Sequence, residues 1–174
     1  MELVLAPDAR LETKLERYDV ETLHPAPVAL EMIDIMNKYN GVGLSANQVG
    51  FPYQMFVMRT FLNKEYGDPM VVINPTIKGL SEEIEGSNEG CLSHPGLTLK
   101  VRRPVSCMVQ FQTLTSDMKN VITVDTKFDE LDARIFLHEY DHLFGIQFID
   151  RVSKLKLDMA EKKRLKKQKR KVNG

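Results

Sequence analysis

A chain of 174 residues, 43% of them apolar, is long enough to bury one substantial core without disulfide staples, and it reads as one domain with a tail. Cys91 and Cys107 cannot make a disulfide framework and read as intracellular thiols, and the first ten residues lack a signal or transit pattern. No apolar run approaches membrane-spanning length, so a cytoplasmic protein is expected.

The formal net charge of 0 conceals an asymmetry. Residues 154 to 171 hold ten Lys and Arg against Asp158 and Glu161, leaving 14 basic and 22 acidic residues in the body. An acidic body excludes a general DNA or RNA binder and directs any anionic partner to the tail.

In chain order, Leu11 to Asp19 is charged and without a clear period. Pro25-Ala26-Pro27 opens a helix, since proline is tolerated in a first turn. Val28, Met32, Ile35, Met36 and Tyr39 form its apolar stripe. Asn40-Gly41 ends it, with Gly41 expected as the left-handed cap. Gly41 to Gln48 reads as a turn of small residues where glycines 41 and 43 permit positive φ and close backbone approach, and where Gln48 offers both a donor and an acceptor. A phosphate loop is excluded by the missing lysine; a plain connecting loop is the alternative.

Strand-like runs follow at Gln54 to Met58, Val71 to Asn74, Leu97 to Arg102, Val105 to Gln112 and Asn120 to Asp125. Leu97, Leu99 and Val101 alternate with Thr98, Lys100 and Arg102, the period of a sheet with one wet face. Among these runs, Glu89 to Gly96 places Cys91 between a glycine and a proline turn, on strained or exposed backbone. Cys107, inside a strand pattern, reads as a small buried apolar group. His24 and His94 have no partner spacing and read as structural or surface residues. A helix over 128 to 143 completes an α+β fold.

That helix carries His138-Glu139-Tyr140-Asp141-His142. Leu131, Ile135, His138 and His142 follow the rhythm of one buried stripe, so both imidazoles project from one face and can reach a single cation. Glu139, about 100° round the helix from His138, can touch a water on that cation. Two inward histidines could also be satisfied by hydrogen bonds, but an acid between them is more simply explained by a metal. Beyond it, Ser153 is expected to cap a tail helix whose face Leu155, Met159, Lys162 and Lys166 docks its first turns on the body. The apolar stripe then fades to Leu165 and Val172.

Gly41-Val42-Gly43-Leu44-Ser45-Ala46-Asn47-Gln48, Glu89-Gly90-Cys91-Leu92-Ser93 and the H-E-x-x-H string resemble the three signature motifs of peptide deformylases, in that family's order and spacing. Pro7 to Leu11, Leu131 to Phe136 and Phe148 to Arg151 resemble its flanking segments. Ser45 stands where the family usually has alanine, and Leu137 where it usually has glutamine.

The resemblance implies antiparallel sheets around a central metal-binding helix, a catalytic domain over 1–152 and a basic C-terminal helix over 153–174. It implies a metal held by Cys91, His138 and His142 with a water completing the site, Fe(II) before Zn, Ni or Co. Glu139 would be the proton carrier, and the Leu92 N–H and the Gln48 amide the donors to the developing oxyanion. The substrate would be an N-formylmethionyl nascent peptide, its backbone along Val42, Gly43 and Gly90 and its methionine against Leu131 and Ile135. Arg102 or Arg103 would pair with Glu89, and residues 154–171 would meet the RNA-rich ribosome surface.

Two other readings share the sequence. An H-E-x-x-H zinc peptidase takes its third ligand downstream, where this chain has no histidine and only Asp150, Asp158 and Glu161 among basic residues. A non-catalytic binding module with the same fold is opposed by the intact Gln48, Cys91, His138, Glu139 and His142.

Overall fold

The computed structural model describes residues 1–61 and 67–172, with side chains as far as Lys169. The Val172 side chain and the last two tail residues, Asn173 and Gly174, lie outside the described residues. In chain order the elements are α1 (Ala26–Lys38), β1 (Gly43–Ser45), β2 (Met55–Thr60), β3 (Asp68–Leu80), β4 (Ile84–Glu89), β5 (Leu99–Pro104), β6 (Ser106–Leu114), β7 (Val121–Asp129), α2 (Glu130–His142) and α3 (Lys154–Val172). Short 3-10 helices occupy Ala46–Val49 and Phe148–Arg151.

One five-stranded sheet has the order β1-β2-β3-β6-β7, and β4 pairs with β5 in a second sheet. Every pairing between these strands is antiparallel, with Gly43 opposite Met58 at one edge and Glu89 opposite Leu99 in the smaller sheet. The α+β architecture with antiparallel sheets around α2 is therefore the observed one.

β7 runs directly into α2, whose apolar side seats it on the larger sheet. Phe136, fully buried, meets Phe56 edge-on at 5.3 Å and packs on Phe128 at 5.4 Å. Burying one such ring removes 150–250 Å² from water, so Phe136 fixes both the depth and the rotation of the helix. With Phe136 inward on the sheet, His138 and His142 turn toward the end of β4 and the turn after it, where Glu89 and Cys91 lie.

Several expectations change. Leu131 is half exposed, not part of a buried stripe, because it lies on the wall of an open cleft. The left-handed residue after α1 is Asn40, φ 53°, and not Gly41. Neither Gly41 nor Gly43 has a positive φ; both are small because neighbours crowd them. A Cβ on Gly41 would lie 2.8 Å from Leu92 Cδ1, and one on Gly43 would lie 2.8 Å from Glu139 Cγ. Residues 43–45 form a strand and 46–49 a 3-10 helix, not a plain turn.

α3 also docks by a different face. Leu157 and Ala160 pack on Leu97, Leu99, Val101 and Phe148, whereas Leu155 and Met159 point to solvent. The chain leaves the Phe148–Arg151 turn in a direction that lays residues 157, 160 and 164 over β5 and the cysteine turn. The Arg164 stem covers Gly96, and its Nη1 donates to the Pro95 carbonyl at 3.4 Å.

Candidate active site

α2 and the turn after β4 bring Cys91 Sγ and one ring nitrogen each of His138 and His142 within 4.8 Å of one another. Cys91 Sγ lies 3.4 Å from His142 Nε2. His138 Nδ1 bonds to Glu89 Oε2 at 3.0 Å, which directs Nε2 at the centre. Such an outer carboxylate fixes the ring's orientation and makes it a better ligand.

Glu89 is itself tightly held. Arg103 Nε and Nη2 donate to its two oxygens at 2.7 and 3.0 Å, and Arg134 Nη1 donates to Oε1 at 2.8 Å. Arg103 also reaches Asp141 Oδ2 at 2.8 Å and the Leu137 carbonyl at 3.2 Å, and Arg151 closes on the far side of Asp141. The expected Glu89 pairing thus falls to Arg103, while Arg102 is exposed. It is a buried network and not a surface pair.

Glu139 stands beside the three donors, buried, with Oε2 unpartnered among the described residues. Burial pushes its carboxyl up to about 7. His142 is held well below its usual value by burial and by the nearby His138, so it is a neutral imidazole with a lone pair to give. Burial opposes a charge on His138 too, but its bonds to Cys91 and Glu89 outweigh that and raise it to about 10. A thiol, two imidazoles and an unpartnered carboxylate fit a divalent zinc-like or ferrous ion.

Gln48 reaches the same centre. Its Oε1 accepts from the Ser45 N–H at 2.8 Å, and its Nε2 donates to Cys91 Sγ at 3.2 Å and to Ser93 Oγ at 3.0 Å. Nothing among the described residues accepts from the Leu92 N–H.

All this lies in a cleft of about 620 Å³ whose walls include the expected Val42, Gly43, Gly90, Leu131 and Ile135. β1 is the edge strand of the larger sheet, so its outer side faces the cleft unpaired among the described strands. Leu3 and Leu5, Arg134 and Thr98 also line it, and none was expected. The N-terminal segment is tied down by Val4 N to Gln48 O at 2.7 Å and Ala6 N to Ser93 O at 2.9 Å, long-range pairings that no local pattern announces.

The remaining candidates settle as structural. His94 is buried against Gln147 Oε1 at 2.7 Å, and exposed His24 lies 3.1 Å from the Lys119 carbonyl. Cys107 is buried, which pushes its thiol up to about 12. Leu137 turns into the core, away from the centre.

Fold and centre together define a class: an α+β protein built round an H-E-x-x-H helix, with a cysteine from an earlier turn as third donor. The polypeptide deformylase family model matches residues 1–158, and the chain belongs to that family. It is 38% identical over 164 residues to the peptide deformylase of Agrobacterium fabrum, covering 92% of each chain.

It is also 36% identical over 158 residues to peptide deformylase 1B, chloroplastic/mitochondrial, of Arabidopsis thaliana, covering 91% of this chain but 56% of that one. The chain thus spans little more than half the length of such plant relatives. The crystal structure of a G41M mutant of the Arabidopsis protein superposes with a TM-score of 0.82 at 35% identity, covering 98% of this chain and 90% of that one. A Met-Ala-Ser-bound class I type b peptide deformylase from Acinetobacter baumannii superposes with a TM-score of 0.77 at 28% identity, covering 87% and 98%.

Proposed function

We propose that this chain removes the formyl group from the N-terminal methionine of newly made polypeptides and releases formate. The observation that carries the reading is the buried Glu139 carboxylate beside the Cys91, His138 and His142 donors at the base of an apolar cleft with a free strand edge. A cation bound by those three residues supplies a Lewis acid for the formyl carbonyl and acidifies a water. Fe(II) is the proposed native ion, with Zn, Ni or Co as replacements.

The chain's own residues do the rest. Glu139 takes a proton from the attacking water and returns it to the departing amine, a role suited to a carboxyl raised toward neutrality. The Leu92 N–H donates to the oxygen that gains charge, and the Gln48 amide joins it by giving up one of its bonds to Cys91 Sγ and Ser93 Oγ; one such donor contributes about 3 kcal/mol in related chemistry. Val42, Gly43 and Gly90 receive the peptide backbone as an added strand, and Leu131 and Ile135 face the methionine side chain. The Met-Ala-Ser peptide held by the Acinetobacter relative has the sequence such a product would have.

The same reading puts the protein in the cytoplasm near nascent chains. The cationic face of α3 is its proposed contact with ribosomal RNA, through salt-sensitive attraction to phosphate.

Incubation with formyl-Met-Ala-Ser tests the activity. Formate and free Met-Ala-Ser are the expected products; internal cleavage without formate would restore the peptidase reading.

A further inference from the structure

Glu139 is gripped from β1 at two points. Its side chain lies against Gly43, where a Cβ would be 2.8 Å from both Cγ and Cδ. Its main-chain carbonyl accepts from the Ser45 hydroxyl at 2.8 Å, a fully buried contact between residues 94 apart.

That carbonyl is one of the last four of α2, which the helix cannot satisfy by itself. The Leu143 N–H, which would serve it in a continuing helix, turns to Tyr140 O at 3.1 Å. Asn47, two residues after Ser45, does the same for the end of the turn: its Nδ2 donates to the His142 carbonyl at 2.8 Å. A short segment of the first signature motif therefore caps the last turn of α2, which carries Glu139 and His142.

We propose that Ser45 is a positioning residue for Glu139, holding the final turn of α2 by its main chain so that the carboxylate stays fixed beside the centre. Through its own N–H, Ser45 also anchors Gln48 Oε1 at 2.8 Å, so one residue sets two of the groups that meet substrate. Alanine at this position leaves the Gln48 bond intact and removes only the hydroxyl.

The inference rests on the proposed deformylation, and its test separates the two. Amide hydrogen exchange of the zinc-loaded protein reads the helix without any turnover. In Ser45→Ala, exchange at residues 139 to 143 is expected to rise about tenfold while Phe136 and the sheet are unchanged; unaltered exchange overturns the proposal whether or not formate is ever released.

Turnover of formyl-Met-Ala-Ser is the second readout. Ser45→Ala is expected to lower kcat roughly tenfold at constant KM and metal content, as loss of an outer hydrogen-bonding partner does. The same substitution in a Glu139→Gln background is expected to change the residual rate less than about twofold, since the two then act as a unit. An equal loss in both backgrounds would show that Ser45 does not work through Glu139. Ser45→Cys, closer in size with a weak donor, is expected to fall between, and an effect as large as alanine's with unchanged exchange would also overturn the proposal.

Discussion

Arg103 grips both oxygens of Glu89, and Glu89 Oε2 in turn holds His138 Nδ1 at 3.0 Å, so a strand residue orients, through one carboxylate, the imidazole proposed to hold the metal. Arg103 and Glu89 are both almost wholly buried. Removing Arg103 leaves Glu89 with Arg134 and His138 and Asp141 with Arg151, which puts the cost at about 3 kcal/mol, the low end for a broken buried pair. Arg103→Ala is therefore expected to lower the unfolding free energy by about that amount, measured by denaturant unfolding. A change no larger than that of Arg102→Ala would show that the buried network contributes nothing.

The same carboxylate sets an acid limit. Burial pulls the Glu89 pKa upward, but the bonds to His138 and Arg103 more than offset it, bringing it to about 2 against an ordinary 4.5. A depressed acid contributes stability that is present above its unfolded value and lost as pH falls through its folded one. The stability gap between wild type and Glu89→Gln should be full between pH 4.5 and 6.5, above which His138 begins to lose the proton that Glu89 helps it hold, and should close toward pH 2. Thermal unfolding of the metal-free proteins across that window checks it; a gap independent of pH would contradict it.

Gly43→Ala is a steric test. The new methyl would sit 2.8 Å from Glu139 Cγ and Cδ, so the carboxylate must move. A shift near 1 Å in a group that handles the proton costs about a hundredfold in rate. The expected outcome is that loss in kcat with an unchanged circular dichroism spectrum, and wild-type turnover would show that Glu139 needs no fixed seat.

Much of this was legible because it is periodic. The histidine spacing, the Met32, Ile35 and Met36 part of the α1 stripe and the alternation of Leu99 and Val101 each follow one local rule, and the structure keeps them. Tyr39, expected on that stripe, instead caps the helix and is exposed. β4 was not legible, since Ile84-Glu85-Gly86-Ser87-Asn88-Glu89 has little strand propensity and is held by pairing with β5. β3 was seen only at its buried centre: Pro69, Pro75 and a left-handed Asn74 break its local signal, while β2 and β6 hold it on both sides. Arg103 breaks the apolar side of its pattern, a charged residue in line with Leu99 and Val101 that is buried because it pairs with Glu89 and Asp141. Ser45 and Asn47 could not be placed, as their partners lie some 95 residues away.

The tail gives a separable prediction. The docked residues of α3 end at Arg164, and beyond Leu165 the chain adds Lys166, Lys167, Lys169, Arg170 and Lys171. A chain ending at Leu165 should hydrolyse a short formylated peptide at the full rate yet co-sediment less with ribosomes at low salt, because five positive charges are gone. Equal sedimentation of the two chains would rule out the docking role.

The most direct test of the central claim is formate release from formyl-Met-Ala-Ser by the anaerobic Fe(II) protein, measured beside metal content for wild type, Glu139→Gln and Cys91→Ser. Loss of a general base costs two to four orders of magnitude, so Glu139→Gln should keep its metal and turn over at least about a hundredfold more slowly. Cys91→Ser should lose the metal itself. Full metal occupancy in Cys91→Ser, a near wild-type rate in Glu139→Gln, or no formate from the loaded wild type would contradict the account.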